Sequence, residues 1–237
     1  MKFPEKSARF DDQLTRGQRI FGFVWLPVHI IVLPLLLGTV LMILLAKIPD
    51  EGTLNVTYYL TSFVAVLIGF WTFLKKGYHR FIERFRYCLL MMVLAYLLNL
   101  GLSLVVNFLA GFLGELSLPN NDAIDALAES NLKQTIAVAI FMAPIVEEVL
   151  FRGVLFGSIA RKSRVAAYAA SVILFSLYHV WQFAVLEGDP AVLINAVEYI
   201  PLSAALTFCY DRTESIWPPI FFHILINTIA LAYLVAT

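Results

Sequence analysis

Apolar positions in this chain run in long, little-interrupted blocks at 21–46, 56–74, 87–113, 133–160, 165–186, 191–210 and 216–236. Each block is long enough to cross a hydrocarbon layer of about 30 Å at about 1.5 Å per helical residue. A helix satisfies its own backbone groups in lipid, so blocks of this length predict helices rather than strands. The pattern therefore predicts an all-α fold, a polytopic transmembrane helix bundle of about seven spans, with eight possible. Between the third and fourth blocks, LGELSLPNNDAIDALAESN breaks the run: Pro119 and the asparagines interrupt it, and Ile124, Leu127 and Ala128 form a short apolar stripe. That stretch predicts a short interfacial helix.

Composition points the same way. The chain is 60% hydrophobic and 14% charged, where a soluble domain is roughly half apolar and about a quarter charged. No internal repeat, low-complexity tract or long polar linker divides it, so one integral membrane domain is expected over 1–237. The opening residues mix Lys2, Lys6, Arg9, Arg16 and Arg19 with Glu5, Asp11 and Asp12. They lack the short apolar core and cleavage site of a signal peptide, so the first span is expected to be a retained anchor. No basic patch with interleaved aromatics suggests nucleic acid.

The zero net charge hides an asymmetry. Of 17 Lys and Arg, fourteen fall on one set of alternate loops: the amino terminus, Lys75 to Arg86, Arg161 to Arg164, and Arg212. Only Lys47 and Lys133 fall on the other set, and Arg152 lies within the fourth span. Cytoplasmic loops retain basic residues, so the amino terminus is expected in the cytoplasm and, with an odd number of spans, the carboxyl terminus outside. Compact loops point to a prokaryotic cell membrane. Cys88 and Cys209 then lie near cytoplasmic helix ends, a reducing setting in which a disulfide is not expected.

Polar groups inside the spans carry the chemistry. Glu147 and Glu148 stand in FMAPIVEEVLFRGVLFGSIA, and carboxylates at membrane depth are costly unless paired, protonated or facing a wet cavity. Glu148 and Arg152 are four residues apart and stack on one face, whereas Glu147 is rotated by about 100° and is left free. Pro144 removes a backbone hydrogen bond just upstream and opens room for water. A buried ionic cluster that only fixes packing is the competing reading of this triplet. Phe175 and His179 share a face in FSLYH, and His223 and Asn227 share one in FFHILIN. Taken singly, each could be a packing residue or interhelical glue. Together, a carboxylate, a histidine, and a histidine with an asparagine supply a general base, its partner and donors for an oxyanion, which amide hydrolysis requires. Residue counting puts Glu147 near mid-membrane, His179 nearer the outer end and His223 nearer the inner end, a difference that helix tilt has to absorb. Glu198 needs a partner, either Arg152 or a proton. His29, Asn99 and Asn107 read as packing or kink-satisfying groups.

The elements EEVLFR at 147–152, FSLYH at 175–179 and HILIN at 223–227, within 133–227, resemble the CPBP family of intramembrane proteases. That family includes the type II CAAX prenyl endopeptidases and bacterial Abi or bacteriocin-processing relatives. The resemblance covers about the last hundred residues, and EExxxR, FxxxH and HxxxN together are far more specific than any one of them. It implies an endopeptidase acting on a membrane-associated or lipid-modified peptide, with Glu147 and His179 activating water and His223 and Asn227 stabilising the oxyanion. Glu148, Arg152 and Phe175 are implied as supporting residues. The family is often described as metalloproteases, and Glu147, His179 and His223 could bind zinc in an open site. Metal through His223 would compete with its donor role, so no cofactor and glutamate chemistry are expected. Two other classes compete with this reading: a non-catalytic immunity or scaffold protein, and a proton-coupled transporter with Glu147, Glu148 and Glu198 as carriers.

Overall fold

The computed structural model describes residues 10–113 and 119–236. Lys2, Lys6, Arg9 and Glu5, and residues 114–118 of the predicted connecting stretch, lie outside the described residues. Among the described residues every regular element is helical. In chain order they are α1 (Arg16–Leu45), α2 (Glu51–Glu83), α3 (Phe85–Leu113), α4 (Pro119–Thr135), α5 (136–160), α6 (Arg164–Tyr178), α7 (Trp181–Glu187), α8 (Ile200–Thr213) and α9 (Trp217–Ala236). A 3-10 stretch, Pro190–Tyr199, leads into α8.

Local signals start these helices where the chain turns. Thr15 accepts from the Gln18 N–H while the Gln18 side chain accepts from the Thr15 N–H, a reciprocal cap on α1. Asp50 caps α2 through the Thr53 N–H at 2.8 Å, and Ser163 caps α6 through the Ala166 N–H at 3.2 Å. The predicted loop over Lys75 to Arg86 is instead helical: α2 continues to Glu83 and α3 begins at Phe85. Lys, Arg and Glu are good helix formers, so the helix outlasts its apolar block.

Among the described residues, six helical stretches are long and apolar enough to cross a membrane: Arg16–Leu45, Glu51–Glu83, Phe85–Gly111, Arg164–Glu187, Pro190–Thr213 and Trp217–Ala236. Seven were predicted, and the one not among them is α5. It alternates π-helical runs (Ile136–Met142, Glu148–Phe156) with short α-helical ones (Ala143–Glu147, Gly157–Ala160) and carries Glu147, Glu148 and Arg152. Yet α5 still traverses the bundle. At its start, the Gln134 side chain lies beside Gly52. Past its end, Arg164 faces Asp211 at 3.7 Å, at the end where Arg80 bonds Asp11 at 2.7 Å and Glu214 at 3.4 Å. Burial would raise the Asp11 carboxyl, but Arg80 and the Gln13 N–H outweigh it and hold that group below the usual carboxylate range.

Position explains composition. The run from Val149 to Phe156 is buried throughout, as expected of a helix with large apolar side chains on every face, and its one charged residue, Arg152, is paired with Glu148. Around it the other helices turn large apolar side chains outward, among them Ile68, Trp71, Leu104 and Val165. Helix α1 seats against α5 through Gly22, where the Val154 side chain fills the place a Cβ would take, and against α2 through Gly69, which faces the Phe21 ring. Small residues let membrane helices approach this closely. In α4 the predicted stripe turns inward, with Ala128 buried, while Asp122 and Glu129 are exposed.

Candidate active site

Helix α5 brings both glutamates to the centre of the bundle, where Glu148 and Arg152 are fully buried and Glu147 nearly so. The predicted pairing is present: Arg152 Nη1 donates to Glu148 Oε1 at 3.1 Å. Arg152 Nη2 donates to the main-chain oxygen of Ser203 at 3.1 Å and to its Oγ at 3.0 Å. The guanidinium lies 4.1 Å over the Phe175 ring, so its flat face is covered by an aromatic quadrupole. Arg152 thus bonds Ser203 on α8, and not Glu198, which sits half-buried on the 3-10 stretch.

The helix carrying FSLYH ends at Tyr178, and Val180, at φ −127°, separates it from α7. The predicted continuous span over 165–186 is therefore broken at His179, which sets the histidine at a helix end inside the bundle. There its Nδ1 donates to the Phe175 carbonyl at 2.8 Å. A carbonyl only accepts, so the proton sits on Nδ1 and Nε2 keeps its lone pair. Tyr199 stacks on the imidazole, with centroids 4.6 Å apart and planes 21° apart. Phe175 packs against both histidines, 4.5 Å from the His179 ring and 6.0 Å from the His223 ring.

On α9, His223 Nδ1 lies 2.9 Å from Glu148 Oε1. Glu148 therefore holds Arg152 and His223 together, and its carboxylate fixes the orientation of that ring. The point of convergence is Glu147: its Oε2 is 3.9 Å from His179 Nε2 and 3.9 Å from His223 Nε2. Helices read at three different depths thus meet at one carboxylate oxygen. The distance exceeds a direct hydrogen bond and suits a single water touching all three groups.

Asn227 is half-buried one turn further along α9, and its Nδ2 donates to the Ala139 carbonyl at 2.7 Å. The reason lies in the π register of α5. The Ala143 N–H bonds to Val138 O, five residues back, so the next nitrogen would serve Ala139 O. That nitrogen belongs to Pro144 and carries no hydrogen. Asn227 supplies the missing donor and keeps a second amide N–H.

Ligands of zinc at tetrahedral positions about 2.0–2.1 Å from the metal lie about 3.3 Å from one another. Glu147 Oε2 stands 3.9 Å from each Nε2, wider than that spacing. Among the described residues no group of three His, Cys, Asp or Glu is placed to hold a metal ion.

Several neighbours carry no motif. Tyr59 on α2 donates to Glu147 Oε1 at 3.0 Å, and Tyr178 and His29 stand behind it. Tyrosines and a histidine scattered through apolar blocks have no spacing that betrays them. Ser203 is equally silent in the sequence.

Residues 130–229 match the family model described as Rce1-like, type II CAAX prenyl endopeptidase Rce1-like. The protein named "Putative membrane peptidase YdiL" of Bacillus subtilis (strain 168) is 32% identical over 94 residues, which are 39% of this chain and 34% of that relative. The chain thus aligns with about a third of the length of the curated relative it matches. No solved structure matches. The three motifs, now assembled around Glu147, lie inside the stretch that is similar to the Rce1-like type II CAAX prenyl endopeptidase model.

Proposed function

We propose that the protein is an intramembrane endopeptidase that hydrolyses a peptide bond in a membrane-associated or lipid-modified substrate, without a metal. The observation that carries the reading is the convergence of His179 Nε2 and His223 Nε2 on Glu147 Oε2 at 3.9 Å. A water there donates one hydrogen to Glu147 Oε2 and the other to the lone pair on His179 Nε2, so both acceptors sharpen its nucleophilicity. As the water oxygen attacks the carbonyl carbon, its proton passes to Glu147, which later delivers it to the leaving amine. His223, held at Nδ1 by Glu148, offers an N–H from Nε2 to the oxyanion as an imidazolium, and the second amide N–H of Asn227 joins it. Glu148, Arg152 and Phe175 keep these groups in register. Burial of Glu147, Glu148, Arg152 and His223 strengthens each electrostatic contact. The family described for residues 130–229 and the name of the Bacillus relative both favour proteolysis. The proposal includes a prokaryotic cell membrane, on the compact loops, and a cytoplasmic amino terminus, on the excess of Lys and Arg in one set of alternate loops.

Purified wild type and Glu147→Gln are compared on an internally quenched peptide ending in a farnesylated Cys-aliphatic-aliphatic-X sequence, and membrane proteomes of the two strains are compared for other substrates. Wild type cleaves and Glu147→Gln, folded and inserted, does not. Equal cleavage by both sinks the assignment. One zinc per active chain, lost together with activity, replaces glutamate chemistry with metal chemistry.

A further inference from the structure

Only one oxygen of Glu147 faces the histidines. The other, Oε1, accepts from the Tyr59 hydroxyl at 3.0 Å. Behind Tyr59 lies a cluster drawn from α1, α2 and α6. Tyr59 Oη is 3.2 Å from Tyr178 Oη, which is 3.1 Å from Tyr58 Oη and 3.2 Å from His29 Nε2. Tyr58 Oη donates to the main-chain oxygen of His29 at 3.0 Å, and His29 Nδ1 meets Ser62 Oγ at 2.8 Å. His29 and Ser62 are fully buried. His29 sits in a π-helical run of α1, Val28–Val32, a local widening frequent at functional sites.

We propose that Tyr59 is the positioning residue of Glu147, and that Tyr178 and His29 hold Tyr59 in place. The inference rests on the reading of Glu147 as the base. An ionised carboxylate only accepts, and a phenol carries a single proton, so the Tyr59 proton is committed to Glu147 and its lone pairs are left for Tyr178. A donor on Oε1 restricts rotation of the carboxylate, which keeps Oε2 aimed between the two histidines. The aromatic contacts, such as the Tyr58 and Tyr59 rings at 4.8 Å and 80°, hold the rings but not the hydroxyl direction. A purely packing role would therefore survive loss of the hydroxyl.

Tyr59→Phe keeps the ring and deletes the donor. The carboxylate band of Glu147 is assigned in purified protein from the infrared difference between wild type and Glu147→Gln, and is then followed in Tyr59→Phe and Tyr178→Phe. The band moves in Tyr59→Phe and moves less in Tyr178→Phe. On the farnesylated quenched peptide, Tyr59→Phe lowers kcat by about 10- to 100-fold, the worth of a hydrogen bond to a charged group, with KM within about twofold. An unmoved Glu147 band in Tyr59→Phe overturns the proposal whatever the activity. A moved band in protein that never cleaves the peptide upholds the positioning and counts against the protease reading.

Discussion

A single amide illustrates how much one residue does here. Asn227 gives one N–H to the carbonyl that Pro144 leaves unserved, and the other is proposed for the oxyanion. The two tasks separate in a double-mutant cycle. Asn227→Ala is expected to lower the thermal midpoint, because a buried carbonyl loses its donor at a cost of about 1–3 kcal/mol. It is also expected to slow cleavage by about 10² to 10³. Adding Pro144→Ala restores a backbone N–H that can reach Ala139 O, so the double variant regains thermal stability while cleavage stays slow. Recovery of both in the double variant would show that Asn227 acts only as a splint. The motif residues were legible in the sequence because charges and histidines inside apolar blocks are conspicuous and their spacing of four implies a shared face. Tyr59, Tyr178 and His29 were not, since a phenol in a membrane helix is ordinary, and what matters is where its hydroxyl ends up after three helices pack.

At the scale of the element, the hydropathy blocks located the helices but not their internal winding. Helix α2 runs beyond its block because charged residues continue a helix readily. The break at His179 carries neither Pro nor Gly, and the π runs of α5 leave no periodic trace in a segment with large apolar side chains on every face. These irregularities place the site: the end of α6 presents His179, and α5, wound as it is, brings Glu147 and Glu148 to different partners. The seating of α1 on α5 is the point most exposed to a small change. A Cβ at Gly22 falls inside contact distance of the branched Val154 side chain, whereas one at Gly101 meets nothing within 4 Å. Gly22→Ala is therefore expected to destabilise by about 1–3 kcal/mol through overpacking. Gly101→Ala, at an open position inside α3, is expected to be neutral or to stabilise by up to about 1 kcal/mol. Thermal midpoints of the two variants in one detergent check the contrast. Since Val154 lies two residues beyond Arg152, Gly22→Ala should also slow cleavage, which Gly101→Ala should not.

At the scale of the whole molecule, charge and contact agree on which loops share an end. Arg19 bonds Asp12 at 2.7 Å, Arg80 joins Asp11 to Glu214, the Tyr87 hydroxyl donates to Arg212 O at 3.1 Å, and Arg164 faces Asp211. The basic loops at the amino terminus, 75–86, 161–164 and 212 are therefore gathered at one end of the bundle. Gly52 and Gln134 meet away from it, beside the sparse cations Lys47 and Lys133. This grouping requires α5 to cross, and the excess of Lys and Arg is the ground for proposing that the basic end faces the cytoplasm. Cys88 and Cys209 are buried and free, so both can be replaced to make a background for single-cysteine labelling. Lys76, Glu129, Lys162 and Glu187 are exposed positions for the probes. In intact cells an impermeant thiol reagent is expected to spare cysteines at 76 and 162 and to modify those at 129 and 187. Labelling at 76 and 162 with protection at 129 and 187 would invert the orientation and leave the bundle intact. If 129 and 162 react alike, α5 does not cross, and the proposed mid-membrane depth of Glu147 fails with it.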